Sequence, residues 1–104
     1  MITSDNLTIL CSNGFEVVAQ TNRMVWVRSK KSGEEFVITD YLLWRHSETR
    51  PYPWHVYHRH RESELCHYHA NERSFADVAR HMIAHDRKAV WRQEALAFSQ
   101  RSTP

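Results

Sequence analysis

Two His-x-His pairs, His58 with His60 and His67 with His69, stand close together in this chain. Imidazole nitrogen ligates borderline transition ions such as zinc, and imidazole is the side chain that titrates nearest neutrality. Residues 54–60, WHVYHRH, and 65–70, LCHYHA, are aromatic and β-branched runs separated by the polar RESE of 61–64, a pattern that predicts a hairpin. With a turn centred on Glu62 and Ser63, His58 falls opposite His67. The period of two then puts His58, His60, His67 and His69 on one face with Val56 and Leu65. His55, Tyr57, Arg59, Cys66, Tyr68 and Ala70 take the other face. The Tyr57/Tyr68 cross-strand pair marks that other face as the expected buried side, which leaves the four imidazoles to water or a partner. A turn of odd length would slip the register and disperse them.

Such a face supports several chemistries. Imidazoles next to Arg59 or Arg61, with Trp54 beside them and Trp44 on the preceding loop, suit contact with a nucleic acid or an acidic partner. The same four histidines are alternatively a zinc-type site, and His81 with His85, one helical turn apart, offers a second bidentate pair. A third alternative is a protein–protein adaptor or inhibitor anchored on Trp44, Arg50, Tyr52 and Trp54. Catalysis finds little support: there are only two glycines, and neither a GxSxG elbow nor a phosphate-cradling loop is present. Pairings such as histidine with Cys66, or with Asp77 and Glu64, arise in any histidine-rich chain.

The order strand, strand, helix over Pro53 to Ile83 resembles the arm-type DNA-binding module of phage integrases, with Trp54, Val56, Arg59, Phe75 and Ala79 at the matching positions. That resemblance implies a three-stranded sheet backed by a helix, whose outer face, here Arg61, His58, His60, His67 and His69, meets the groove or phosphates. Histidine stands where such modules concentrate Arg and Lys, which weakens the electrostatic contribution.

These residues need elements to hold them. Ser74 followed by Asp77 is a capping-box pattern, and Phe75, Val78, Ala79, Met82 and Ile83 form a helical stripe behind it. Val90, Trp91, Ala95 and Phe98 form a second stripe out of phase with the first. The phase change, with Asp86 as an N-cap, predicts two helices, about 74–85 and 87–100. The alternative, one long helix, would expose Trp91 and Phe98 as a dimer or partner surface. Upstream, LTILC, FEVVAQ, MVWVRS and EFVITD read as successive strands turned at Asn13-Gly14, Thr21-Asn22 and Ser32-Gly33. Residues 40–53 carry Pro51 and Pro53 and are expected to be a long connection, with one helical turn at Leu42 to Trp44 and with Trp44 either functional or packed over a sheet edge. The terminal 101–104 should fray.

Composition bounds the rest. A chain of 104 residues, 41% apolar, is sized for one domain, 1–104. Its net charge of +2 falls short of the strongly basic balance of a nucleic-acid binder. Cys11 and Cys66 lack CxxC spacing, so both are expected to be small buried residues in a reduced, cytoplasmic compartment. No apolar run is long enough for a membrane span. The expectation is an α+β domain: an antiparallel meander of about five strands with two C-terminal helices on one face. Its expected role is a non-enzymatic binding or regulatory protein without a cofactor, or with zinc in the alternative, and it is either a monomer or a homodimer.

Overall fold

Period-two apolar alternation in the middle of the chain builds a five-stranded antiparallel sheet, and the computed structural model describes residues 1–45, 49–61 and 63–101 of it. Glu62, the expected turn centre, lies outside the described residues, as do 46–48 of the long connection and the last three residues of the expected fraying end. The strands are β1 (Phe15–Gln20), β2 (Met24–Ser29), β3 (Glu35–Thr39), β4 (Trp54–Arg59) and β5 (His67–Glu72), paired in the order β1-β2-β3-β4-β5. Every neighbour in space is a neighbour in sequence, the meander expected of short strands joined by tight turns.

Two helices flank the sheet, and their positions differ from expectation. The first, α1 (Ser4–Ser12), occupies the LTILC segment read as a strand. Thr3 Oγ1 accepts from the Asn6 N–H at 3.1 Å, and Asn6 Oδ1 accepts from the Thr3 N–H at 2.9 Å. This capping box satisfies amides that a helix start leaves open, and it outweighs the β-branched character of Thr8 and Ile9. Asn13-Gly14, expected to be a hairpin turn, instead ends α1, with Gly14 at φ +87° leading into β1.

The second helix, α2 (Phe75–Arg101), is one continuous element in place of the two expected. Its buried stripe runs Phe75, Val78, Ala79, Met82, Asp86, Ala89. Asp86 continues the stripe instead of capping a new helix, because Ser29 Oγ and Ser32 Oγ donate to its two oxygens at 2.8 and 2.5 Å. A buried polar side chain is tolerated where its hydrogen bonds are met. Trp91 and Phe98 are out of phase because they face outward, 69% and 68% exposed.

Other elements pack on both faces of the sheet, while most of β1 stays exposed. On one, Val25, Val27, Phe36, Ile38 and Val56 pack against Leu10 of α1 and Phe75, Val78 and Met82 of α2. On the other, the 40–53 connection crosses Tyr57: the Leu43 N–H donates to Tyr57 Oη at 2.8 Å, and the Trp44 ring stands edge-on to Tyr57 at 4.6 Å. Leu42 to Trp44 form no helical turn, and Trp44 packs over a strand inside the sheet rather than over an edge. The cysteines also depart from expectation: Cys11 is exposed, Cys66 only half-buried, and both are free. No helix of the described residues is long and apolar enough to cross a membrane.

Candidate metal centre

Strand register assembles the centre. In the β3–β4 pair, Phe36 faces His58 and Glu35 faces Arg59, so alternation sets Glu34, at the mouth of β3, on the same face as His58 and beside His60. In the β4–β5 pair His58 lies opposite His67, the expected register. Beyond Tyr57↔Tyr68 the ladder shifts and Val56 pairs with Ala70, a bulge that accommodates His69. The bulge moves Ala70 from the tyrosine face, where strict alternation puts it, onto the apolar core. His69 remains with the other histidines, its ring 5.1 Å from that of His58.

Helix α2 closes over this face. One turn beyond Val78 and Met82 come His81 and His85, which the helical period directs at the sheet. The His85 ring lies 4.4 Å from that of His58 and 4.7 Å from that of His69, and the His81 ring lies 4.8 Å from that of His69. The strand histidines and the helical pair, separate groups in the sequence, thus form one cluster of six. The expectation that the four strand imidazoles face water is corrected in part. His58 is fully buried beneath α2 and against Phe36, His69 is half-buried, and His60 and His67 are exposed. Of the outer-face residues implied by the integrase resemblance, Arg61, His60 and His67 are exposed, His69 is half-buried and His58 lies buried beneath α2.

At the centre, Glu34 Oε1 lies 2.6 Å from His58 Nε2, 3.1 Å from His60 Nδ1 and 3.3 Å from His85 Nε2. His58 Nε2 and His85 Nε2 are 3.2 Å apart. Burial lowers the basicity of the His58 ring, and although the Glu34 hydrogen bond opposes this, the pKa falls to about 4. Burial likewise pushes His69 down to about 4, helped by the neighbouring imidazoles. His85 is lowered by the same cause, against the pull of Glu34. For Glu34, burial would raise the pKa, but hydrogen bonds from His58 and His85 and the electrostatic pull of the His58 and His60 rings bring it below the ordinary carboxylate value. At neutral pH the Glu34 carboxylate therefore lies beside His58 and His85 as neutral imidazoles, with His69 likewise neutral.

Three buried ring nitrogens have no hydrogen-bond partner among the described residues: His58 Nδ1, His69 Nε2 and His81 Nε2. Potential ligand atoms of His58, His67 and His69 lie within 4.8 Å of one another, and the same holds for Glu34, His58 and His60. A cleft of about 310 Å³ lined by His69, His81, Ala84, His85 and Lys88 borders the cluster at α2.

The other expected site residues lie elsewhere. Arg59 is on the tyrosine face, its Nε donating to Glu35 Oε2 at 2.6 Å and its guanidinium over the Trp26 ring. Arg61 is exposed, 3.5 Å from Glu64. Trp54 packs edge-on against Phe75 at 5.1 Å, in the core layer, while Trp44 covers the opposite face. Glu34 is the residue that sequence reasoning missed. The available signal was its period-two relation to Phe36, which becomes informative only once β3 is registered against β4. No protein-family model matches the chain, and neither a curated protein nor a solved structure matches it.

Proposed function

We propose that this protein is a transition-metal-binding module that holds a zinc-type divalent ion on His58, His67 and His69, with Glu34 orienting His58. The observation that carries the reading is the pair of buried, unpartnered nitrogens, His58 Nδ1 and His69 Nε2, in a grouping completed by the exposed His67. A buried nitrogen without a partner costs about 1–3 kcal/mol, a penalty that a bound cation would remove. Glu34 accepts from the opposite nitrogen of His58, which leaves the lone pair on Nδ1. A ligating histidine commonly donates its other N–H to a carboxylate in this way, which fixes the tautomer and strengthens the ligand.

A ligand set made only of imidazoles favours zinc, copper, nickel or cobalt over calcium or magnesium, which take oxygen ligands. Because His58 and His69 are held neutral, neither needs to release a proton when the ion binds. The reading is of binding, not catalysis. Contact with a nucleic acid or acidic partner through the same face draws less support, since Arg59 is engaged with Glu35 and His58 is buried.

Equilibrium dialysis with Zn²⁺, followed by elemental analysis and a chelator wash, tests the reading. The wild-type chain should retain zinc at whole-number stoichiometry, and Glu34→Gln should bind it about 10–100-fold more weakly. Paired His67→Ala and His69→Ala substitutions should remove the ion from this site while the circular dichroism of the domain persists. Zinc retention that ignores both histidines would refute it.

A further inference from the structure

We infer that the centre takes two ions, with His58 as an imidazolate bridge between them. The inference rests on the metal-binding reading above and deepens it. The two ligand groupings share a single residue, His58, and an imidazole has two nitrogens on opposite sides of its ring. One of them, Nδ1, is the unpartnered atom assigned to the first ion. The other, Nε2, lies 2.6 Å from Glu34 Oε1 in the second grouping, which His60 completes, and His85 Nε2 stands beside that grouping at 3.2 Å from His58 Nε2.

Donor spacing supports a second ion there. Four ligands at zinc's bond length of 2.0–2.1 Å stand about 3.3 Å apart along the edges of a tetrahedron. The Glu34 oxygen lies 3.1 Å from His60 Nδ1 and 3.3 Å from His85 Nε2, and the two Nε2 atoms of His58 and His85 lie 3.2 Å apart. Among these four spacings only the 2.6 Å contact from Glu34 to His58 is shorter, as expected of the hydrogen bond that an ion would replace. The residues come from the β3 entry, the end of β4 and the middle of α2, so the second ion would pin the helix to the sheet, whereas the first joins β4 to β5.

The proton balance is simple. With one ion bound, His58 keeps its proton on Nε2 and donates it to Glu34. When the second divalent ion binds Nε2, that proton leaves to solvent, Glu34 turns from acceptor to ligand, and the ring becomes an imidazolate held at both ends. No electron moves.

Native mass spectrometry of the full chain titrated with Zn²⁺ should show two ions in the wild type. One should remain in the His60→Ala/His85→Ala double variant, and one in the His67→Ala/His69→Ala variant. If the first double variant unfolds, His60→Ala alone, at a side chain 48% exposed, should still weaken the second binding step. With Cu²⁺ in place of zinc, the bridge should couple the two spins, so the low-temperature paramagnetic signal per copper is largely lost in the wild type and returns in His60→Ala/His85→Ala. A single zinc that ignores His60→Ala/His85→Ala would overturn the second ion and leave the proposed site standing. A single zinc lost in that variant but kept in His67→Ala/His69→Ala would overturn both readings, as would no zinc at all. Two zincs with uncoupled coppers would overturn the bridge.

Discussion

His58 concentrates the chemistry of this protein in one ring. It is fully buried, its Nε2 faces a carboxylate, and its Nδ1 is buried without a hydrogen-bond partner among the described residues. Its folded-state pKa of about 4 lies below the ordinary 6.5, so between those values the unfolded chain binds a proton that the native chain does not. The metal-free protein should therefore lose stability as pH falls from about 6.5 to about 4, on the order of 3 kcal/mol from His58 alone, with His69 adding to the loss. The carboxylates act lower. Burial would raise the Glu35 pKa, but Arg59 and Arg28 hold it below its ordinary 4.5, so its contribution persists above that value and disappears as pH falls through the lowered one. Urea unfolding in chelator at stepped pH checks this, and an unchanged midpoint from pH 7 to 5 would contradict it. At this scale the alternation of residues 54–70 reveals the four strand histidines. It misjudges their burial because the Tyr57/Tyr68 pair is an equally good core signature, and the two faces turn out to be covered by different elements. Glu34 was not legible, since an acidic residue before an apolar run looks like any strand entry.

Among the elements, α2 best separates what pattern reveals from what packing decides. Its start at Ser74 and its stripe from Phe75 to Met82 follow from capping and periodicity, and Ser74 Oγ accepts from the Asp77 N–H at 3.2 Å as the pattern implies. Its continuation does not follow, because Asp86 belongs to the stripe only through Ser29 and Ser32, hydroxyls of a turn far away in sequence. Asp86→Ala should thus leave two hydroxyls without their acceptor and cost about 1–3 kcal/mol. Asp86→Asn, which keeps one acceptor oxygen, should cost less. Thermal unfolding of both variants reads the difference, and equal midpoints for Asp86→Ala and wild type would contradict the link. The bulge at His69 is similarly invisible in sequence. It holds no glycine and shows only in the ladder, yet it brings Ala70 into the core while keeping His69 among the ligands. The LTILC segment was misread for a local reason: five residues without charge look like a strand until Thr3 and Asn6 are seen capping them.

Seen whole, the molecule is a covered sheet with a helix that outruns it. Every residue of α2 from Trp91 to Arg101 is exposed, and Gln93 Nε2 donates to the Ser32 carbonyl at 3.0 Å. A chain ending at Glu94 should accordingly keep its unfolding free energy within about 0.5 kcal/mol, the range of surface changes. A larger loss in chemical denaturation would contradict this and show that residues beyond Glu94 make stabilising contacts. The α+β composition and the antiparallel sheet were legible, because tight turns between short alternating runs leave a meander as the simplest solution. Placing one helix ahead of the sheet was not, since that depended on a single cap.

The strand order has a consequence for biosynthesis. Because each strand pairs with its predecessor, a chain emerging from the ribosome adds every new strand to a template already in place. No strand must wait for a distant partner, and the loops to be closed stay short. While the sheet grows, however, the newest strand offers an open edge, and the apolar face of β3 and β4 lies bare until α2 follows. The nascent intermediate is therefore most prone to stick to its neighbours just before the last helix is released.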